Sequence, residues 1–61
     1  MNFEIIVMET GHSVTANGWA YLELVLERQA KLDKAGATII FSTLVNGKPA
    51  AWYAGIYVRI V

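Results

Sequence analysis

The first half of the chain changes from an apolar run to a small polar run and then to an amphipathic stretch. Residues 3–9 are rich in β-branched side chains and predict a strand. Residues 10–18 are small and polar and predict a loop, with a short strand at residues 13–16, folded back on the first strand, as an alternative. The next apolar residues recur at helical spacing and predict one long helix, between an N-cap at Asn17 and a stop at Gly36.

Two further apolar runs fill the rest of the chain. Residues 37–45 and 50–61 both predict strands, and the pair Asn46 and Gly47 between them is a strong hairpin signal. Gly55, inside the last run, indicates a bulge or a close backbone approach. The order β-α-β-β predicts one α+β domain over residues 1–61, a three-stranded mixed sheet with the long helix packed on one face. The helix joins the first two strands, which are expected to run parallel, and the third and longest strand is expected in the centre, antiparallel to both.

The predicted sheet has two apolar faces, although a sheet covered on one side needs only one. Because side chains alternate between faces, the face toward the helix is expected to hold Phe3, Ile5, Val7, Ile39, Phe41, Val45, Trp52, Ile56, Val58 and Ile60. Aromatic residues and arginine on the opposite face favour an interface with another protein. The predicted interface, with the spare side of the helix added, consists of Tyr21, Leu24, Ile40, Leu44, Tyr53, Tyr57 and Arg59.

The composition strengthens the expectation of a partner. Of the 61 residues, 56% are hydrophobic and 16% are charged, whereas an average domain carries about 25% charged residues. The chain has no cysteine, so no disulfide can support so small a fold. The predicted helix is also apolar over more than half of its circumference, and a stripe of about 100° is enough for one interface. We therefore expect a homo-oligomer, most economically a twofold dimer, with at least twice the 6.7 kDa mass of one chain.

Charge and reactive residues disfavour several functions. The five basic and five acidic residues give a formal net charge of zero, whereas a nucleic-acid-binding domain usually has a basic stripe. The single histidine, His12, lies near Glu9 and Ser13, but residues contiguous in a loop rarely form a catalytic triad. Glu23 and Glu27 are followed by lysines and are typical of a solvated helix face. We assign no catalytic residue, no metal ligand and no cofactor, and an enzyme is the least favoured class.

One ligand hypothesis stays open at this point. The predicted loop leads into a helix N-terminus, where free amides and the helix dipole attract anions. His12, Ser13 and Asn17 are the candidate ligand-binding residues there. The loop lacks the glycine and lysine spacing of nucleotide-binding motifs.

The favoured function is a small, non-enzymatic protein-binding module. We expect an oligomeric accessory or inhibitor protein that acts by occupying the surface of an unknown protein target. Its small size alone suggests a product of a phage or mobile element. The alternatives are an oligomer that sequesters a small anionic, nucleotide-like ligand, and a nucleic-acid-binding accessory protein. The sequence shows no targeting segment and no long apolar run, so we expect a cytoplasmic protein with no membrane partner.

Overall fold

The computed structural model describes residues 1–61 and contains four strands and two helices. In chain order the elements are β1 (Asn2–Val7), β2 (His12–Asn17), α1 (Trp19–Arg28), α2 (Lys34–Val45), β3 (Ala50–Tyr53) and β4 (Ile56–Ile60). The α+β class predicted from the sequence is confirmed. The prediction of three strands and one long helix is wrong.

The four strands form one sheet in the order β2-β1-β4-β3, and every neighbouring pair is antiparallel. The expected parallel pair is therefore wrong. The first and last segments of the chain do pair antiparallel, as predicted, because β1 lies beside β4. The segment predicted as a loop is instead largely β2, so the alternative strand at residues 13–16 is confirmed and extends over His12–Asn17.

The predicted long helix is interrupted. Helix α1 ends at Arg28, well before Gly36. Lys31 then adopts a left-handed φ of 62°, which turns the chain away from the helix axis. The Leu32 N–H donates a hydrogen bond to the Leu26 C=O over 2.9 Å and holds this turn against the helix end.

The start of α1 also differs from the prediction. Asn17 is the last residue of β2, and the N-cap position belongs to Gly18, which has no side chain to accept a hydrogen bond. The helix is held in place mainly by packing, because Leu22, Val25 and Leu26 are buried at helical spacing.

Residues 37–45, predicted as a strand, belong to α2. The Asp33 carboxylate caps this helix by accepting a hydrogen bond from the Gly36 N–H over 2.8 Å. Gly36 thus lies in the first turn of a helix and does not stop one. The β-branched residues cost at most about 0.7 kcal/mol each in helix propensity, whereas burying Ile40 or Leu44 gains about 1.5–3 kcal/mol. Both are buried at helical spacing, so tertiary packing outweighs the strand propensity.

The predicted Asn-Gly hairpin is the end of α2. Asn46 is the C-cap, and Gly47 has a left-handed φ of 96°. The Gly47 N–H donates to the Leu44 C=O at 3.1 Å, and the Lys48 N–H donates to the Thr43 C=O at 3.3 Å. These two bonds define a Schellman motif, which satisfies carbonyl groups left free at the helix end.

The predicted third strand is a hairpin of two strands. Tyr53 pairs with Ile56, so Ala54 and Gly55 form a two-residue connection. Their φ values of 53° and 79° are both positive, as a type I′ turn requires. Gly55 is thus a turn residue, not a bulge. The turn shifts the face register, because Trp52 now pairs with Tyr57 and cannot share a face with Ile56.

Both helices lie on the same face of the sheet and enclose the core. Helix α1 packs on β2, and α2 packs on β3. Phe3 of β1 packs edge to face on Trp19 of α1, with ring centroids 4.8 Å apart, and Trp19 contacts Phe41 of α2 at 5.8 Å. The twelve buried core residues are Phe3, Ile5, Ala16, Leu22, Val25, Leu26, Ala37, Ile40, Leu44, Ala51, Ile56 and Val58. Neither helix is long and apolar enough to cross a membrane.

Candidate functional site

The face of the sheet that lies opposite the helices carries a row of apolar side chains. Strand register places Ile6, Tyr57 and Trp52 side by side across β1, β4 and β3. Trp52 is 65% exposed, so its predicted place in the core is wrong. Ser13 of β2 continues the row to the opposite edge. We call this side of the sheet, turned away from both helices, the outer face.

A charged pair borders this row. Arg59 and Glu4 are neighbours across β4 and β1, one register step from Tyr57 and Ile6. The Arg59 Nε–H donates a hydrogen bond to the Glu4 carboxylate over 2.7 Å. The pair is partly exposed, so it fixes the direction of the guanidinium more than it stabilises the fold. The outer face thus joins two aromatic rings to an oriented arginine.

A second apolar surface lies on α1. Tyr21 and Leu24 are 50% and 43% exposed, and with Val25, Arg28 and Gln29 they line a depression that opens to solvent. Trp19 turns one side of α1 toward α2, so the side with Tyr21 and Leu24 points away from α2. Since α1 packs over β2 and α2 over β3, this side faces the β2 edge of the sheet. We call it the α1 flank.

The structure separates the predicted interface residues. Tyr57 and Arg59 lie together on the sheet surface, and Tyr21 and Leu24 lie together on the α1 flank. Tyr53 belongs to neither group. It lies on the helix side of β3, where a Cβ added to Gly36 would approach its ring to 3.0 Å. An interface role for these five residues stays a prediction.

The placement of Ile40 and Leu44 on an open face is wrong. Their accessible fractions are 0% and 3%, because α2 turns both side chains onto the sheet. The error follows from the strand assignment, in which every second residue of this segment would point away from the core. Both residues contribute to the stability of the fold and offer no surface to a partner.

The candidate ligand residues do not converge. His12 and Asn17 are at opposite ends of β2, and both are exposed. Strand geometry puts their Cα atoms roughly 16 Å apart. Ser13 points to the outer face, and His12 belongs to the opposite side of the strand. No cluster of three or more His, Cys, Asp or Glu side chains has the arrangement of a metal site.

Sequence reasoning missed a third surface, the open edge of β2. The Gly18 N–H donates to the Met1 C=O, and this pair continues the register of β1 and β2. Because bonded and non-bonded pairs alternate along an antiparallel ladder, the even-numbered residues of β2 direct their backbone groups toward β1. Those of Ser13, Thr15 and Asn17 therefore point away from the sheet. The signal was in the sequence: residues 12–17 contain no charged residue, proline or glycine, the devices that normally protect an edge.

The site as a whole therefore consists of three neighbouring surfaces: the outer face, the α1 flank and the β2 edge. Two of them are mainly apolar, and the third presents free backbone donors and acceptors. Such an arrangement suits contact with other polypeptides. Comparison of the chain with protein-family models, with curated proteins and with solved structures finds no match.

Proposed function

We propose that this protein is a non-enzymatic protein-binding module that acts by occupying a partner surface through its outer face. The observation that carries the proposal is the position of Trp52, a residue that is 65% exposed beside Tyr57. Tryptophan, tyrosine and arginine are the residues enriched among interface hot spots. On the outer face an arginine, Arg59, also borders the aromatic pair.

The chemistry of the outer face defines the kind of partner. Its centre is aromatic and aliphatic, and its one arginine is already paired with Glu4. A complementary partner is a folded protein that offers an apolar recess for the indole and a polar rim near the ion pair. A phosphate backbone fits this surface poorly, because it requires unpaired cations. Steric occupation of this kind is compatible with an accessory or inhibitory role.

A pair of equally exposed side chains tests the proposal. Trp52→Ala removes the indole from the outer face, and Val45→Ala removes a 68% exposed side chain from the end of α2. Immobilised wild-type protein and both variants are exposed to extract of the native host, and retained proteins are quantified. A captured protein is then purified and its affinity for each variant is measured.

We expect a partner that binds wild type and Val45→Ala equally and Trp52→Ala about 30-fold more weakly, since a hot-spot truncation costs about 2 kcal/mol. Circular dichroism of Trp52→Ala should match the wild type, because the side chain is outside the core. A purified partner whose affinity does not depend on Trp52 contradicts the proposed surface.

A further inference from the structure

The open edge of β2 is well suited to pairing with a second strand. Strand β2 has six residues, and three of them, Ser13, Thr15 and Asn17, direct unpaired N–H and C=O groups away from the sheet. No side chain of this chain bonds to these groups. An unprotected edge of this kind is a template for another strand.

We propose that the second strand is β2 of another copy of this chain, and that the two copies form a twofold dimer. In an antiparallel pair about an axis perpendicular to the sheet, opposed residues must share a face. The hydrogen-bonded pairs must also come from the residues that face outward. Thr15 is the central one of these three residues. Thr15 therefore lies opposite Thr15 of the second copy, Ser13 lies opposite Asn17, and about six hydrogen bonds form.

The side chains accept this register without conflict. On the outer-face side, two threonines oppose each other, and Thr–Thr is a favourable cross-strand pair. On the helix side, Val14 of one copy lies opposite Ala16 of the other, so both members of that pair are apolar. The strand carries no Lys, Arg, Asp or Glu. The twofold axis therefore brings no like charges of β2 together.

The α1 flank supplies the apolar part of the same interface. The perpendicular axis keeps both copies of α1 on one side of the joined sheet. Tyr21 and Leu24 lie on the side of α1 away from α2, and α1 packs over the edge strand β2, so the twofold axis would bring the two flanks next to each other. Strand pairing and apolar burial thus act together on one surface, as expected for a contact between two identical chains.

The outer face is too small for a dimer formed by stacking two outer faces. Four strands about 4.8 Å apart and five residues long give a face of roughly 14 by 17 Å. Even doubled for side-chain relief, that area of about 500 Å² is below the roughly 800 Å² per partner of a standard interface. Joining two sheets at β2 leaves the outer faces free and combines them into one eight-stranded surface about 34 Å wide.

The role of this larger surface in binding rests on the proposed function and extends it. The dimer itself does not depend on the proposed function. The strand order places the two copies of Trp52 near opposite ends of the joined sheet. A partner that contacts both ends gains from a second, intramolecular binding event. The dimer then explains how a face that is small in one copy reaches the size of a stable protein interface.

A single introduced thiol tests the register, because the chain has no cysteine of its own. In the proposed pair, position 15 lies about 5.5 Å from its counterpart, within reach of a disulfide. Position 13 is displaced from its counterpart by about four residues, or 13 Å, which no disulfide can span. Under mild oxidation, Thr15→Cys should form the linked dimer at least about tenfold faster than Ser13→Cys. Equal rates, or a faster reaction of Ser13→Cys, overturn the proposal.

Sedimentation equilibrium tests the dimer without any cross-link. We expect wild type to have twice the 6.7 kDa chain mass at micromolar concentration. Thr15→Lys places like charges opposite each other and should weaken the dimer at least about tenfold. Thr38→Lys adds the same charge on exposed α2 and should leave the dimer intact.

Amide hydrogen exchange gives an independent measurement on unmodified protein. The N–H groups of Ser13, Thr15 and Asn17 should be protected at high concentration and lose that protection on dilution. Wild type that stays monomeric, or equal dimers of both lysine variants, overturns the proposal. A dimer that persists while binding does not depend on Trp52 removes the proposed function alone.

Discussion

The two edges of the sheet are built differently. The β3 edge has only four residues and follows Pro49, which has no N–H to offer. Shortness and proline are two of the devices that prevent edge-to-edge pairing. The β2 edge has six residues and neither device. Within one small sheet, the same hazard is controlled at one edge and left open at the other, as the proposed pairing through β2 requires.

The helices above the two edges repeat the contrast. Over β3, helix α2 comes so close that a Cβ added to Gly36 would lie only 3.0 Å from the Tyr53 ring. Over β2, helix α1 leaves the depression between Tyr21 and Arg28 open along its flank. One half of the molecule is closed on itself. The other half ends in apolar side chains next to free backbone groups, and the proposed dimer would cover both.

The strongest way to test the closed half is to truncate a side chain that anchors α2. Ile40→Ala leaves a cavity between α2 and the sheet and should lower the free energy of unfolding by about 2–5 kcal/mol. Ile39→Ala removes the same atoms from the adjacent, 44% exposed residue and should change it by less than about 0.5 kcal/mol. Urea unfolding measures both.

The two isoleucines also distinguish the observed helix from the strand expected from the sequence. In the strand expected from the sequence, Ile39 would point to the core and Ile40 to the opposite face, so the truncation of Ile39 would be the costly one. A larger loss of stability in Ile39→Ala than in Ile40→Ala would therefore contradict the placement of α2.

The failure of strand prediction in this segment has a clear physical cause. Residues 37–45 are rich in Ile, Thr, Phe and Val, which favour strands, but the propensity scale spans only about 1 kcal/mol per residue. A local signal for a helix is present as an N-cap, Asp33, three residues before Gly36. Gly36 instead suggests the end of the preceding helix, because glycine is common at that position.

Other elements are predictable because local and tertiary preferences agree. Strand β1 has β-branched residues and alternating burial, and α1 has its apolar residues at helical spacing. Asn46 and Gly47 show the opposite case. The same two residues suit a hairpin and a helix end, because both structures need a left-handed φ at the glycine. Only the packing of α2 decides between the two structures.

The candidate site is predictable only in part for a related reason. Helical geometry assigns Tyr21 and Leu24 to an interface, and the structure places both on one exposed flank. Trp52 is predicted in the core because a strand without a turn gives the wrong face. The β2 edge depends on which strand ends the sheet, a property of topology that no local pattern contains.

A second, smaller effect tests the open half. Leu24→Ala removes an apolar side chain from the α1 flank and should raise the dimer dissociation constant about five- to tenfold, since about 1–1.4 kcal/mol of burial is lost. Ile39→Ala is a matched control on α2, because the two side chains are 43% and 44% exposed. Sedimentation equilibrium measures the difference. Equal dissociation constants for the two variants would remove the α1 flank from the interface.

The smallest effect tests the turn that forms the β3 edge. Ala54 has a φ of 53°, a left-handed conformation that costs an alanine about 1 kcal/mol. Asparagine tolerates this conformation and precedes glycine in the favoured type I′ turn, so Ala54→Asn should raise the free energy of unfolding by about 0.5 kcal/mol. Ala54→Gly relieves the same strain but increases the entropy of the unfolded chain, and it should gain less. Because this turn belongs to the closed half, neither variant should change the mass in solution. Destabilisation by asparagine would show that the hairpin does not need a left-handed residue at this position.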